Sequence, residues 1–254
     1  MKGLRIALAV LPAAVAVGCG SYDSPSSPTF QHPRSVVTGS GDITAQVAQF
    51  RTALGDPNNG GTAGAQPSGR REINWDGVPA DVTNTDAFPG DFFNARSPRG
   101  LILGTNGSGL RVSDTNAADI DANLGRQFGF FSPRKTFLPA GGTVVDVTFR
   151  VPGSATPAAV SGFGVVFSDV DRLGSATIEF FGAEGSLGKF EAPVHEASGP
   201  LSFLGVVFDA KVVTRVRIQS GNAVVAAGAR DVSDGGAGDL VIMDDFFYDE
   251  PQAN

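Results

Sequence analysis

The chain has 254 residues, of which 41% are hydrophobic and 18% charged, so it carries enough apolar side chains for a folded core. Acidic residues outnumber basic ones by 26 to 19, giving a net charge of −7. This balance, without a basic cluster, excludes binding to nucleic acid through its phosphates. The single cysteine excludes an internal disulfide and a metal site built from several thiolates.

The N-terminus has the features of an export signal. Lys2 and Arg5 precede an apolar run over residues 6–17, which is too short to cross a hydrocarbon layer of about 30 Å as a helix. The sequence Ala-Val-Gly-Cys that ends at Cys19 resembles the lipobox of bacterial lipoproteins. The resemblance implies that Cys19 is acylated and that the protein is an exported, membrane-anchored lipoprotein of the outer membrane or cell surface. The alternative is an ordinary secretory signal that contains a cysteine.

Composition divides the chain into four segments. Residues 1–18 are the predicted signal peptide, and residues 19–41, rich in Ser and Pro, are predicted to be a disordered tether. Residues 42–251 are predicted to form a single β-sandwich domain, and residues 252–254 a short tail.

One amphipathic helix is predicted at the start of the domain. Asp42 can cap its N-terminus and Gly55 can end it. The apolar residues at helical spacing between them are Ile43, Val47, Phe50 and Leu54.

The second half of the chain consists of short apolar runs separated by turn residues. These runs span residues 144–151, 163–167, 177–181, 187–191, 203–208, 212–218 and 240–248. Residues 182–186 predict a five-residue hairpin loop. Within 212–218, apolar residues alternate with Arg215 and Arg217, which is typical of an antiparallel strand with one face in water. The predicted fold class is all-β, a jelly-roll-like antiparallel β-sandwich with one short N-terminal helix.

Four pairs of adjacent phenylalanines occur along the chain. They are Phe92–Phe93, Phe130–Phe131, Phe180–Phe181 and Phe246–Phe247. Because neighbouring strand residues point to opposite faces, each pair is expected to place one ring in the core and one outside. Either the helix and loops cover the outer rings, or these rings form an apolar surface for a partner.

Two groups of aspartates are candidate cation ligands. Asp169 and Asp171 follow a predicted strand, and Asp244 and Asp245 lie inside the last one. Carboxylates at this spacing suit Ca²⁺ better than a transition metal, which predicts a structural calcium ion as the cofactor. The alternative is that Asp serves as a turn former. Adjacent acids inside an apolar strand are expected to need a cation or an arginine.

The only tryptophan is a candidate ligand-binding residue. Trp75 lies between Arg71 and Asp76 in a charged segment, so its ring is expected either at the surface, where it could contact a sugar, or as a partly buried anchor. His195, beside Glu196, is predicted to be a solvated loop residue without a catalytic role. The sequence contains neither a Gly-x-Ser-x-Gly nor a His-Glu-x-x-His motif, which favours a protein that is not an enzyme.

Several segments resemble a family of uncharacterised exported bacterial proteins, some of which end in a PEP-CTERM sorting tail. The matching segments are residues 54–60, 69–77, 161–171, 201–208 and 241–246. The resemblance implies an exported β-sandwich and no defined activity. The chain ends in Asp-Glu-Pro-Gln-Ala-Asn without a hydrophobic tail, so the anchor is expected at the front.

These observations lead to one functional expectation and two alternatives. We expect a lipid-anchored, exported β-sandwich of the cell envelope, a non-catalytic module that binds or displays a glycan or an envelope protein. The glycan rests on a resemblance of the last strand to jelly-roll carbohydrate-binding modules, in which an acid binds structural Ca²⁺. The alternatives are a secreted carbohydrate-active hydrolase that uses Asp169 or Asp171, and a purely structural surface protein.

Overall fold

The computed structural model describes residues 32–254, so the predicted signal peptide, Cys19 and most of the predicted tether lie outside the described residues. In chain order the elements are β1 (Ser35–Ser40), α1 (Thr44–Leu54), β2 (Arg70–Ile73), α2 (Phe92–Ala95), β3 (Leu101–Thr105), β4 (Gly109–Ser113), β5 (Thr136–Ala140), β6 (Val144–Arg150), β7 (Pro157–Ala159), β8 (Gly162–Ser168), β9 (Thr177–Gly182), β10 (Gly185–Glu191), β11 (Leu201–Val207), β12 (Arg215–Gln219), β13 (Ile242–Asp249) and β14 (Gln252–Ala253). No helix within residues 32–254 has the length and apolar character needed to span a membrane.

The strands form two antiparallel sheets that pack face to face. The first sheet has the order β1-β11-β8-β13-β5-β4, with β2 also paired to β13. The second has the order β10-β9-β12-β6-β7-β14, with β3 also paired to β6. The main core contains residues of both sheets, such as Phe163 and Val165 of β8 and Val145 and Val147 of β6. The predicted all-β sandwich with a short N-terminal helix is therefore confirmed.

Alternation along the strands gives the second sheet one buried face and one wet face. In β12, Val216 and Ile218 are buried, whereas Arg215 and Arg217 point outward. Both arginines bind Asp146 of β6, at 2.9 and 2.8 Å. The predicted alternation is therefore correct, although the strand begins three residues later than expected.

The helix α1 covers the outer face of the first sheet. The helix begins one residue later than predicted, with Ile43 as its N-cap residue and without a side-chain cap, although Asp42 accepts a hydrogen bond from the backbone nitrogen of Thr44 at 3.1 Å. Phe50 packs directly on the backbone of Gly164 and Gly205, where an added Cβ would stand 2.6 Å from its ring. These two glycines therefore let the helix approach the sheet closely. A second apolar cluster forms between the helix and the sheet.

Two phenylalanine pairs in strands place one ring on each face, as predicted. Phe246 lies in the main core and Phe247 lies under α1. Phe180 lies in the main core, and Phe181 is covered by the guanidinium of Arg215, 3.6 Å from its ring centroid. The outer rings are therefore covered by the helix and by a cation–π contact.

The other two pairs differ from that expectation. Phe92 and Phe93 lie in the helical turn α2, where both rings are buried. Phe131 packs against the cluster under α1, whereas Phe130 is 40% exposed. The strand rule fails at these positions because neither pair lies in a strand.

Three sequence predictions of local structure are wrong. The tether cannot extend to residue 41, because β1 pairs with β11 over six residues. The predicted tail at 252–254 contributes β14, which pairs with β7. Gly182 pairs with Gly185, so the hairpin loop contains two residues instead of five, and a bulge follows between Ser186 and Gly188.

Candidate functional site

Five polar side chains converge at one end of the sandwich. Asp169 and Asp171 follow β8, His195 lies in the loop after β10, and Asp231 and Asp239 lie in the loop between β12 and β13. Asp169, Asp171 and His195 offer ligand atoms within 4.8 Å of one another, and Asp171, Asp231 and Asp239 do the same. We call these four aspartates and His195 the acidic cluster.

His195 binds the first two aspartates of the acidic cluster. Its Nε2 lies 2.9 Å from Oδ1 of Asp171 and 3.6 Å from Oδ1 of Asp169. Gln127 donates to Oδ2 of Asp169 at 2.6 Å. Burial and the nearby carboxylates of Asp171 and Asp231 raise the pKa of Asp169 to about 7. Burial lowers the pKa of His195, but hydrogen bonds to the Glu196 carbonyl and to Asp171 outweigh it, so the net shift is upward.

Asp239 binds the backbone that follows β8. Its Oδ2 accepts hydrogen bonds from the backbone nitrogens of Asp171 at 3.0 Å and Arg172 at 2.9 Å, and from Oγ of Ser175 at 2.5 Å. Its other oxygen, Oδ1, is buried and has no hydrogen-bond partner. Oδ2 of Asp171 is buried without a partner as well. Two carboxylate oxygens of the cluster are therefore left unpaired away from water.

Asp231 completes the cluster from the Gly-rich loop. Its Oδ1 accepts from the backbone nitrogen of Leu240 at 2.7 Å, and its Oδ2 accepts from the nitrogen and hydroxyl of Ser233, both at 2.6 Å. Burial and the carboxylate of Asp231 raise the pKa of Asp171. Within residues 32–254, His195 is the only basic side chain that pairs with any of the four aspartates. Oxygen ligands in this number suit a hard divalent cation.

The other predicted pair, Asp244 and Asp245, forms a separate site in β13. The register against β8 shifts between Met243 and Phe246, and this bulge holds both acids inside the protein. Ser132 Oγ lies 3.0 Å from Oδ1 of Asp244 and 2.7 Å from Oδ1 of Asp245. Neither acid belongs to a group of three ligands within the part of the chain that the structure describes.

The Asp244–Asp245 pair holds a proton. Burial and the neighbouring carboxylate of Asp245 raise the pKa of Asp244 to about 9. Burial raises the pKa of Asp245 to about 6, so the two carboxyl groups share one proton at neutral pH. The backbone nitrogen of Phe131 donates to Oδ2 of Asp244 at 2.7 Å. Hydrogen-bond donors from Phe131 and Ser132 therefore contact the pair, and the predicted cation at Asp244 and Asp245 stays a prediction.

The three predicted ligand-binding residues have structural contacts. Arg71 is completely buried and forms a bidentate ion pair with Glu250, at 2.8 and 2.7 Å. Its remaining donors bind backbone carbonyls, so its guanidinium is not available to a ligand. Asp76 accepts from the backbone nitrogen of Lys135 at 3.1 Å.

Trp75 is the buried anchor of an aromatic cluster. Its ring stacks on Phe137 with centroids 4.1 Å apart, and its Nε1 donates to the carbonyl of Asp244 at 2.8 Å. Only 1% of the residue is exposed, so of the two predicted placements the surface platform is wrong and the anchor is correct.

A small cavity of about 270 Å³ nevertheless lies beside this anchor. Its walls include Asn74, Trp75, Phe92, Phe93, Arg96 and Arg99. The guanidinium groups of the two arginines lie over phenylalanine rings, at 5.3 Å from Phe92 and 5.7 Å from Phe93. We call it the Trp75 cavity.

Arg99 is the unusual charge of the Trp75 cavity. Its Nε donates to the carbonyl of Glu72 at 3.1 Å, and its Nη1 donates to Ser97. No carboxylate within residues 32–254 forms an ion pair with it, whereas the exposed Arg96 lies 3.4 Å from Asp81. Burial, together with the positive charge of Arg71, lowers the pKa of Arg99. Arg99 is therefore a half-buried cation without a counter-charge.

The sequence did not reveal the most informative residues of the acidic cluster and of the Trp75 cavity. Asp231 and Asp239 lie about sixty residues after Asp171 in a Gly-rich loop, where each one looks like an ordinary turn former. Arg99 follows Pro98 in an irregular segment without periodicity. No local pattern marks these three residues, because only the fold brings them to their sites.

Neither a protein-family model nor a curated protein matches the sequence. Among solved structures, two variants of the family 29 carbohydrate-binding module CBM29-2 are similar at 14% identity and a TM-score of 0.25, covering 48% of this chain and 74% and 73% of theirs. The enzymatically active domain of bacteriophage CBA120 tailspike protein 4 is similar at 13% identity and a TM-score of 0.19, over 56% of this chain and 21% of that one. Likenesses this weak say nothing about the ligand of this chain.

Proposed function

We propose that this protein is an exported, lipid-anchored β-sandwich of the cell envelope and a non-catalytic module that binds an acidic glycan in the Trp75 cavity. The lipid anchor is supported by the sequence that ends at Cys19, which lies outside the described residues. The ligand is supported by the wall of the cavity.

The observation that carries the proposal is the unpaired guanidinium of Arg99. A half-buried cation without a counter-charge is costly, and a ligand carboxylate would supply that charge with directed hydrogen bonds. Phe92, Phe93 and the edge of Trp75 provide apolar walls on which the C–H face of a sugar ring can pack. A sugar that carries a carboxylate satisfies both features.

The volume of the cavity limits what it can hold. At about 270 Å³ it lies just below the range of roughly 300–1,000 Å³ that is typical of ligand pockets. The cavity therefore suits one sugar unit, such as a uronic acid at a chain end or side branch, and the rest of the glycan would remain outside.

Calorimetric titration with uronic-acid oligosaccharides and their neutral counterparts tests the glycan proposal. Wild-type protein should bind only the acidic series, and Arg99→Gln should weaken binding by about 10- to 100-fold, the value of a hydrogen bond to a charged group. Arg126→Gln is the matched control, because exposed Arg126 lines a different cavity. Equal binding of both series, or capture of an envelope protein without any glycan, would contradict the proposal.

Metabolic labelling with a radioactive fatty acid tests the anchor separately. Wild-type protein should take up the label and fractionate with membranes, whereas Cys19→Ala should lose the label. Label that persists in Cys19→Ala would contradict lipidation at this residue.

One observation favours the hydrolase as a second candidate. Asp169, with its pKa raised to about 7, lies beside Asp171, and catalytic acids often have such values. Turnover of envelope polysaccharide by the wild type that disappears in Asp169→Asn would replace the binding proposal with this one. Under the binding proposal, the wild-type protein releases no reducing ends.

A further inference from the structure

We propose that Asp171, Asp231 and Asp239 form a Ca²⁺ site that joins the end of β8 to the Gly-rich loop between β12 and β13. This site is separate from the Trp75 cavity and does not depend on the proposed glycan. Asp244 and Asp245 are not among its ligands.

The two unpartnered oxygens are the first argument. Asp239 is fully buried, and while its Oδ2 accepts three hydrogen bonds, its Oδ1 accepts none. Asp171 is similar, because His195 occupies its Oδ1 and its Oδ2 is left without a donor. A buried carboxylate oxygen without a partner is costly, and a bound cation would satisfy both at once.

The geometry of the three side chains is the second argument. One carboxylate oxygen of each residue lies within 4.8 Å of one from each of the others, which is the separation of ligands around a single ion. Asp231 and Asp239 are 1% and 0% exposed, so water cannot screen their repulsion. Hydrogen bonds from the backbone and from Ser175 and Ser233 hold the carboxylates in place.

The ligand chemistry selects calcium over transition metals. All three groups are carboxylates, and hard oxygen ligands favour Ca²⁺ or Mg²⁺. His195 binds the opposite oxygen of Asp171 and thereby fixes the orientation of this carboxylate. Buried, directly converging carboxylates leave little room for the water shell that Mg²⁺ keeps, so Ca²⁺ is the better match.

An access route exists on the loop side. A surface cavity of about 580 Å³ is lined by Asp231 and by Gln127, which binds Asp169. An ion can therefore reach Asp231 from solvent without unfolding of the sheets. Once bound, it would connect residues 169–172 to residues 231–239, a loop that otherwise contains one helical turn and a few backbone hydrogen bonds.

Calorimetry and thermal unfolding of EDTA-treated protein test the site. We expect Ca²⁺ to bind with a Kd between roughly 10⁻⁶ and 10⁻³ M and to raise the Tm by about 5 °C or more at a 100-fold excess over Kd. Mg²⁺ at the same concentration should shift the Tm by less than about a third as much. Limited proteolysis within residues 221–240 should slow when Ca²⁺ is added.

Substitutions in the site identify the ligands. Asp239→Asn keeps an oxygen for the backbone donors of β8 but replaces the unpartnered oxygen by an amide nitrogen, so the Ca²⁺ shift should vanish. Asp171→Asn, at a less buried position, should abolish the shift as well and covers the case in which Asp239→Asn does not fold. Asp234→Asn is the matched control, because exposed Asp234 lies in the same loop and makes no side-chain contact with the cluster.

Asp245→Asn separates this site from the pair in β13. It should retain the full Ca²⁺ shift, since Asp245 is bound to Ser132 and not to the cluster. The proposal is overturned if wild-type protein shows no Ca²⁺ binding at about 10 mM, above the range of extracellular calcium modules. It is also overturned if Asp239→Asn and Asp171→Asn respond like the wild type, or if Asp245→Asn alone loses the response.

Discussion

The two acidic sites of this sandwich contain the same residue type, yet they manage their charge in different ways. In β13, Asp244 and Asp245 face each other, and their pKa values of about 9 and 6 mean that the pair retains one proton at neutral pH. In the acidic cluster, Asp171 and Asp239 each keep a buried oxygen that nothing in residues 32–254 satisfies.

The difference follows from what surrounds each site. The bulge in β13 brings the two carboxyl groups together beside Ser132 and the backbone nitrogen of Phe131. A single proton shared by the two carboxyl groups removes the repulsion between them. The acidic cluster has more carboxylates than one proton can bridge, and its donors occupy only one oxygen of Asp239. A shared proton accounts for the charge of the pair in β13, whereas for the acidic cluster we propose a divalent cation.

The largest expected effect is loss of the Asp239 side chain. Asp239→Ala in EDTA removes the acceptor of three hydrogen bonds, two from the partly buried backbone nitrogens of Asp171 and Arg172 and one from the hydroxyl of Ser175. The free energy of unfolding should fall by about 3 kcal/mol, as when one partner of a buried polar network is deleted. Urea denaturation measures the change, with Asp234→Ala as a control within about 0.5 kcal/mol of the wild type. A loss below about 1 kcal/mol would mean that Asp239 does not hold the β8 turn.

Asp244→Asn should change the pH dependence of stability. Both acids of the pair have folded-state pKa values above the roughly 3.9 of an unfolded chain, so the folded state binds more protons and its stability falls as pH rises from about 4 to 9. Asparagine mimics the protonated acid, since its amide can accept from Phe131 and donate to Asp245. The variant should match the wild type near pH 4 and be more stable than the wild type by at least about 2 kcal/mol near pH 8.

Denaturant titrations across this pH range measure the effect, with Asp245→Asn for comparison. The charges that act on Asp245 from neighbouring elements are those of Arg51, which lowers its pKa, and Glu72, which raises it. A parallel pH profile for Asp244→Asn and the wild type would contradict the shared proton.

Ser132→Ala should have the smallest effect. It removes a hydroxyl that donates within the Asp244–Asp245 pair, and the free energy of unfolding should fall by about 1 kcal/mol at neutral pH. The Ca²⁺ response of this variant should remain that of the wild type. If Ser132→Ala lost the Ca²⁺ response, the two acidic sites would be energetically coupled, which would contradict their separation.

Sequence patterns were sufficient to predict the architecture, because alternation is local. The β-branched residues of β6 and the Val216–Ile218 face of β12 indicate an antiparallel sheet without any tertiary information. The boundaries of the tether, the tail and the hairpin were wrong, since β1 and β14 are ordered by partners far away in the chain. Lipidation at Cys19 stays a prediction.

The candidate sites were predictable only in part. Asp169 and Asp171 were identified from their position after a strand, but Asp231 and Asp239 reach them through the order of the strands, which no spacing encodes. The charges that flank Trp75 in the sequence left both a surface position and a buried anchor open. In the fold, Glu250 neutralises Arg71, and Lys135 donates to Asp76, so those charges do not hold the ring at the surface.

A crystal structure of the protein soaked in Ca²⁺ tests the contrast between the two acidic sites most directly. We expect one strong density peak, at about 2.3–2.6 Å from carboxylate oxygens of Asp171, Asp231 and Asp239. We expect none between Asp244 and Asp245, whose carboxyl groups should stay in hydrogen-bond contact. A cation bound between Asp244 and Asp245, with the three cluster aspartates turned apart, would contradict this expectation.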